Sequence, residues 1–452
     1  MKVVKKIKER VMGSDFLKSV SVLFSGNVIS NVISFISIPI LSRVYSQTDF
    51  GDYAIVTSIA SIITVCTTFG LTSAIMAPKE DSEAKKILTT TYAVQSLIIF
   101  FFVVVVIILY LLKGFQLYEF SGRYLLSFIL LFLYLLVYTL FSLLSVLTNK
   151  QKQNRVLFTN ALIISLSSLV LTVPLGLLGL GGIGFIIGAT CSYLIADIQM
   201  IMHTHPFVSI NLRRSCKDII RDYRDFIFYQ FPSNIIGSFA LQLPNQMFSR
   251  LFGNARLGGY AMSDRLMGVP MRLIGSPIST VYFRQASIYV KEERDLALFT
   301  YRLISKILWI SLVPVVLVLL FAKPVLVFFL GEGLTETGDI VTLLIGPYIF
   351  SFCSSCISYC LVVLNRQKVN LYITLIQFVL IAGFTFLGYY LTRDFFRTLQ
   401  FYSVALILYH VIHLSVDFYY LGGGYLKKFL SIVGIYLIIV MSVSLLLGVY
   451  SF

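Results

Sequence analysis

Two arginines, Arg265 and Arg272, stand seven residues apart inside the mostly apolar stretch 257–290. At 3.6 residues per turn they share nearly one helix face, which Ser276 and Ser279 extend. An ionisable group at membrane depth is costly, so it faces a water-filled cavity or a partner and marks a functional site. A guanidinium offers a planar fork of donors to phosphate or carboxylate, which makes Arg265 and Arg272 candidate substrate-binding residues. Snorkelling to the interface is the plainer reading of Arg265, which lies near the end of its helix.

Amides form the next constellation. Asn27, Ser30, Asn31, Ser34 and Ser37 make one stripe, and Gln230, Asn234, Ser238, Gln242 and Asn245 make another. Each amide carries donors and an acceptor and could grip hydroxyl-rich cargo, so Asn27, Asn31, Asn234, Gln242 and Asn245 join the candidate binding residues. For single serines and threonines, helix–helix hydrogen bonding is the plainer role. His410, His413 and Asp417 fall at i, i+3 and i+7. They could couple an ion, H+ or Na+, because imidazole titrates near neutrality, or form an ordinary interfacial cluster. Cys353, Cys356 and Cys360 read as small buried thiols, and no metal site is expected. The glycine run 176–188 lacks a following Gly-Lys-Ser/Thr, which excludes a phosphate loop, and Gly184-xxx-Gly188 reads as a close-packing face.

The elements that must position these groups are membrane helices. The chain has 452 residues, of which 58% are hydrophobic and 13% charged, and its mean hydropathy is +0.88. Soluble domains carry about a quarter charged residues. An all-α polytopic membrane protein is therefore expected, with spans near 16–44, 50–76, 84–112, 122–147, 154–175, 179–202, 225–252, 257–290, 297–322, 339–364, 368–391, 398–420 and 427–450. The first is expected to be a retained helix, too long for a signal-peptide core.

With the N-terminus in the cytoplasm, 25 Lys and Arg fall in inside segments and 8 outside. That bias supports a multi-pass protein with a cytoplasmic N-terminus. It also accounts for the net charge of +15 without invoking nucleic acid.

A shift of 207 residues superposes Asn27 on Asn234, Ser42-Arg43 on Ser249-Arg250, Gly51 on Gly258 and Tyr53-Ala54 on Tyr260-Ala261. Residues 149–154, NKQKQN, likewise resemble 365–370, NRQKVN. Two parallel six-helix repeats follow, 16–202 and 225–420, joined by a cytoplasmic linker, 203–224, and followed by an additional helix, 427–450. The basic linker is expected to lie at the bilayer surface.

The segments Ile38-Pro-Ile-Leu-Ser-Arg-Val-Tyr-Ser46 and Asp49-Phe-Gly-Asp-Tyr-Ala54 resemble the signature joining the first two helices of polysaccharide-transport flippases. These are the Wzx-type O-antigen and capsule exporters of the MOP superfamily, which also holds the MATE drug exporters. Gly258-Gly-Tyr-Ala261, Pro270, Ile278-Ser-Thr-Val-Tyr-Phe283 and Asn365-Arg-Gln-Lys368 extend the resemblance. The thirteenth helix exceeds that family's usual twelve.

The resemblance implies a V-shaped bundle and a transporter rather than an enzyme, without a cofactor. It would move an undecaprenyl-diphosphate-linked oligosaccharide to the outer leaflet of the bacterial plasma (inner) membrane. Its partners would be membrane lipids, a polysaccharide polymerase and a chain-length regulator. The alternatives are a MATE-like multidrug exporter, which would want intramembrane carboxylates, and an integral membrane enzyme of polysaccharide assembly, which would need a reactive constellation.

Overall fold

The computed structural model describes residues 14–111, 124–209, 212–224, 226–331, 335–364, 366–422 and 424–446. Among them there is no strand. The helices are α1 (Ser14–Ser42), α2 (Gln47–Thr68), α3 (Leu71–Ala74), α4 (Asp81–Leu111), α5 (Tyr124–Lys150), α6 (Asn154–Leu177), α7 (Gly181–Thr204) and α8 (Leu212–Asp222). A π-helical turn, Phe226–Gln230, leads into α9 (Phe231–Phe252) and α10 (Asn254–Lys291). Then come α11 (Leu296–Leu330), α12 (Thr335–Cys356), α13 (Cys360–Val363), α14 (Gln367–Thr392), α15 (Phe395–Leu421) and α16 (Tyr425–Leu446).

Every expected span coincides with a helix, and α3 and α13 are short continuations after breaks in the second and tenth. Ten of the described helical segments are long and apolar enough to cross a membrane. The long helices α9 and α10 fall outside that set. Val28–Ser42 of α1 is a further, shorter apolar helical segment among the described residues. The amides of α9 and the arginines, glycines and prolines of α10 dilute their apolar character.

Local chemistry sets the helix ends. Asp295 caps α11 by accepting from the Leu298 amide at 2.8 Å, and Asp394 caps α15 by accepting from the Arg397 amide at 2.9 Å. Gly253 and Gly331, at φ 84° and 89°, turn the chain where α9 and α11 stop.

The chain divides into two compact units. The first holds residues 1–45 and 56–238, and the second holds 46–55 and 239–452. In the first, Leu71, Ile75, Leu88, Leu144 and Met200 form the core. A Cβ at Gly188 of α7 would stand 2.6 Å from Thr172 Cγ2 of α6, so that glycine sets how closely the two helices approach. Ser30 of α1 donates to the Ala161 carbonyl at 2.9 Å, and Tyr45 donates to the Thr172 carbonyl at 2.7 Å. Ser30 therefore acts as helix–helix glue. Lys150, in the first of the two matched loop motifs, donates to the carbonyls of Ile75 and Pro78.

In the second unit, Tyr282, Leu308, Phe350, Phe418 and Phe429 form a core that also takes in Cys353, Cys356 and Cys360. Gly388 of α14 lies against Phe401 of α15, where a Cβ would stand 2.9 Å from the phenylalanine Cβ. The amphipathic helix α8 belongs to the first unit.

Candidate functional site

The second unit holds an open cavity of about 370 Å³ between α9, α10, α12, α14 and α15. Hydroxyl, carboxyl, amide and imidazole groups line much of its wall. Tyr260 and Asp264 stand one turn apart on α10. Tyr348, Ser351 and Ser355 follow at helical spacing on α12. Gln377 enters from α14, and Tyr402, His410 and His413 from α15. Pro244 of α9 and Pro347 of α12 lie at the lining, where each lacks an amide hydrogen and loosens its helix beside the hollow.

Hydrogen bonds fix most of these groups. Tyr348 donates its hydroxyl to the Asp264 carboxylate. The hydroxyls of Tyr260 and Tyr402 share a hydrogen bond of 2.9 Å, packed against Phe248. His410 Nδ1 lies 3.1 Å from Ser354 Oγ, and its ring packs 4.6 Å from that of Tyr409. His413 Nε2 lies 3.8 Å from Asp417 Oδ2, and Asp417 is 1% exposed, so its carboxylate is surrounded by protein.

Asp264 and Arg265 part company because successive helical residues point about 100° apart. Asp264 lines the cavity. Arg265 does not, and its guanidinium lies 5.0 Å from the centre of the Tyr53 ring. Tyr53 is brought there because 46–55 belongs to the second unit. Its neighbour Asp52 accepts from Asn254 Nδ2 at 2.7 Å, and Asn254 in turn accepts from Ser249 at 2.5 Å.

Of the residues singled out by spacing, the cavity gathers His410 and His413, with Asp417 one turn beyond. Asn245 donates to Gln242 at 3.1 Å on α9, and Gln230 donates to Asn234 at 2.9 Å. Asn31 is half-buried. The side chains of Asn27 and Arg272 lie outside the described residues. Spacing missed Asp264, Tyr260, Tyr348, Tyr402 and Gln377. A signal was present: Tyr348, Ser351, Ser355 and Ser358 recur on one face of an apolar span, and Asp264 is the single acid of α10.

Phenols, hydroxyls and an amide present donors and acceptors together, which suits a polyhydroxylated group. The single carboxylate disfavours an anion in this cavity and suits a cation.

The described helices, ten of them long and apolar enough to cross a membrane, define a multi-pass helical membrane protein. The lipid II flippase MurJ, in an inward closed conformation, is similar with TM-score 0.66 and 15% identity, over 94% of this chain and 96% of that one. A multidrug resistance MATE family transporter of the MOP superfamily, inward-facing, is similar with TM-score 0.58 and 14% identity, over 89% and 96%. No curated protein matches the sequence at a significant level. The family described as polysaccharide biosynthesis protein matches residues 40–338, and the chain belongs to that family.

Proposed function

We propose that this protein is a flippase for lipid-linked oligosaccharides. It moves undecaprenyl-diphosphate-linked repeat units from the cytoplasmic to the outer leaflet of the bacterial plasma membrane, for O-antigen or capsule assembly. The observation that carries the reading is membership of the polysaccharide biosynthesis family in a chain with a transporter fold. The resemblance at residues 38–54 and 258–283 supports it, and the Lys and Arg bias supports a cytoplasmic N-terminus.

In this reading Arg265 and Arg272 meet the diphosphate, and the amides Asn27, Asn31, Asn234, Gln242 and Asn245 meet sugar hydroxyls. His410, His413 and Asp417 serve the coupling ion, H+ or Na+. Alternating access comes from rocking of two parallel repeats. A polymerase and a chain-length regulator act on the delivered unit.

Deleting the gene in its own host and probing lipid-linked repeat units from outside tests this. The expected result is loss of surface polysaccharide, with the lipid-linked unit accumulating inside and export restored by the gene in trans. Outer-leaflet repeat units at the parental level in the deletion strain would refute the flippase.

One observation favours a second reading. The Asp264 carboxylate in a tyrosine-lined cavity suits an organic cation, as a drug exporter would need. Unchanged polysaccharide together with drug hypersensitivity in the same strain would select it.

A further inference from the structure

The first unit holds a second cleft, about 310 Å³, twice the ~150 Å³ that accommodates benzene in a protein interior. It lies between the membrane helices α2 and α4, the linker helix α8 and the π-helical turn. Phe69, Val94, Cys216, Ile219, Ile220 and Phe228 wall it. Thr67 and Thr90 also line it, but their hydroxyls bond back to the carbonyls of Ile63 and Lys86 at 2.7 and 2.8 Å, leaving their methyls for the cleft. Ile220 and Phe228 at the rim are 58% and 69% exposed, a large apolar surface for residues beside a basic helix. The apolar surroundings push the Cys216 thiol up from its ordinary range.

Helix α8 has two stripes. Cys216, Ile219 and Ile220, at i, i+3 and i+4, face the cleft. Arg213, Lys217, Arg221 and Arg224 follow the neighbouring register, so a basic line runs beside the apolar one. Lys86 of α4 binds Asp218 at 3.1 Å, which pins the helix over the cleft, and the second acid of α8, Asp222, accepts from the exposed Arg221 guanidinium at 2.7 Å, so Lys217 is the stripe's cation with no carboxylate of α8 on it among these pairs. Lys217 is exposed.

An apolar slot at the edge of membrane helices, rimmed by a basic stripe, has the chemistry of an amphiphile with an anionic head. We propose that the cleft seats one acyl chain of an anionic phospholipid of the surrounding bilayer, with its phosphate on the α8 stripe at Lys217 and Arg221. The assignment stands whatever cargo the protein carries. The bound lipid ties the linker between the two repeats to the membrane surface, which makes transport sensitive to bilayer charge.

The chain has one tryptophan, Trp309, which allows a clean reporter. Full-length protein carrying Trp309→Phe and Phe228→Trp is titrated in mixed micelles with phosphatidylglycerol or phosphatidylcholine brominated on the acyl chain. Phosphatidylglycerol is expected to half-quench at a concentration about fivefold or more below phosphatidylcholine. Adding Lys217→Gln and Arg221→Gln is expected to bring the two lipids within about twofold. Filling the slot with Val94→Phe is expected to abolish preferential quenching, with the elution profile showing that the protein is folded. Equal quenching by both headgroups before the charge is removed would overturn the proposal. So would stronger displacement by undecaprenyl phosphate than by unbrominated phosphatidylglycerol. Should the Val94→Phe protein not fold, the Lys217→Gln/Arg221→Gln comparison decides.

Discussion

Gly51 and Gly258, equivalent positions 207 residues apart in the repeated pattern, meet backbone to backbone. The Gly51 amide nitrogen stands 3.0 Å from where a Cβ on Gly258 would lie. A Cβ on Gly51 would collide with the Asn254 carbonyl, and one on Gly258 with the Gln47 carbonyl. These are backbone atoms, so neither neighbour can swing away. Gly51→Val and Gly258→Val should each destabilise by at least the about 1–3 kcal/mol typical of overpacking. Thermal melting of detergent-solubilised protein reads this, and wild-type melting in both variants would show that the two segments separate freely.

Tyr348 and Asp264 form a hydrogen bond to a charged acceptor, a type worth about 1.5–3 kcal/mol. Tyr348→Phe should lower stability by that order. Asp264→Asn keeps an acceptor for the phenol and should melt nearly as the parent does. Surface polysaccharide in the Asp264→Asn strain should nonetheless fall about tenfold, equivalent to ~1.4 kcal/mol in a rate-limiting step. Parental polysaccharide levels would remove the Asp264 charge from transport.

Arg265 over Tyr53 is a cation–π pair, worth about 0.5–2 kcal/mol according to its exposure. Tyr53→Phe should keep the coupling to Arg265, because the ring face survives, and Tyr53→Leu should lose it. A double-mutant cycle with Arg265→Leu isolates the coupling, and a coupling of zero would make the ring incidental.

Arg272→Ala should abolish surface polysaccharide while the protein still reaches the membrane, and Arg272→Lys should retain part. Lysine keeps the charge but not the planar fork of donors. Normal polysaccharide with Arg272→Ala would take this residue out of the mechanism, and equal loss with Lys and Ala would argue for geometry over charge.

His413 and Asp417 supply a test of coupling. In vesicles energised separately with a proton or a sodium gradient, Asp417→Asn should abolish stimulation by the coupling ion while leaving the ungraded rate intact. Stimulation equal to the parent under both gradients would confine the pair to a structural role.

The helices were legible because burial in lipid is read locally. About 20 apolar residues in a row mean a span in any context. The polar interruptions that kept α9 and α10 out of the apolar set were visible as stripes for the same reason. Gly51-x-Tyr53 and Gly258-x-Tyr260 keep the same spacing, which is the pattern that suggests a repeat. Ser30 illustrates the limit, since its type allowed cargo or packing and only the Ala161 carbonyl at 2.9 Å decided for packing.

The polar cavity was less legible. Spacing on one helix drew attention to Arg265, but the groups facing the cavity come from five helices, and the carboxylate among them is its neighbour Asp264. A helical period fixes the angle between two side chains on one rod. It does not fix which rods stand opposite, because that depends on packing between residues far apart in the chain, such as Asp264 with Tyr348 or Tyr260 with Tyr402. Membership in a class of helical membrane proteins thus followed from local composition and period. The gathering of Asp264, His410 and His413 at one cavity followed from tertiary packing alone.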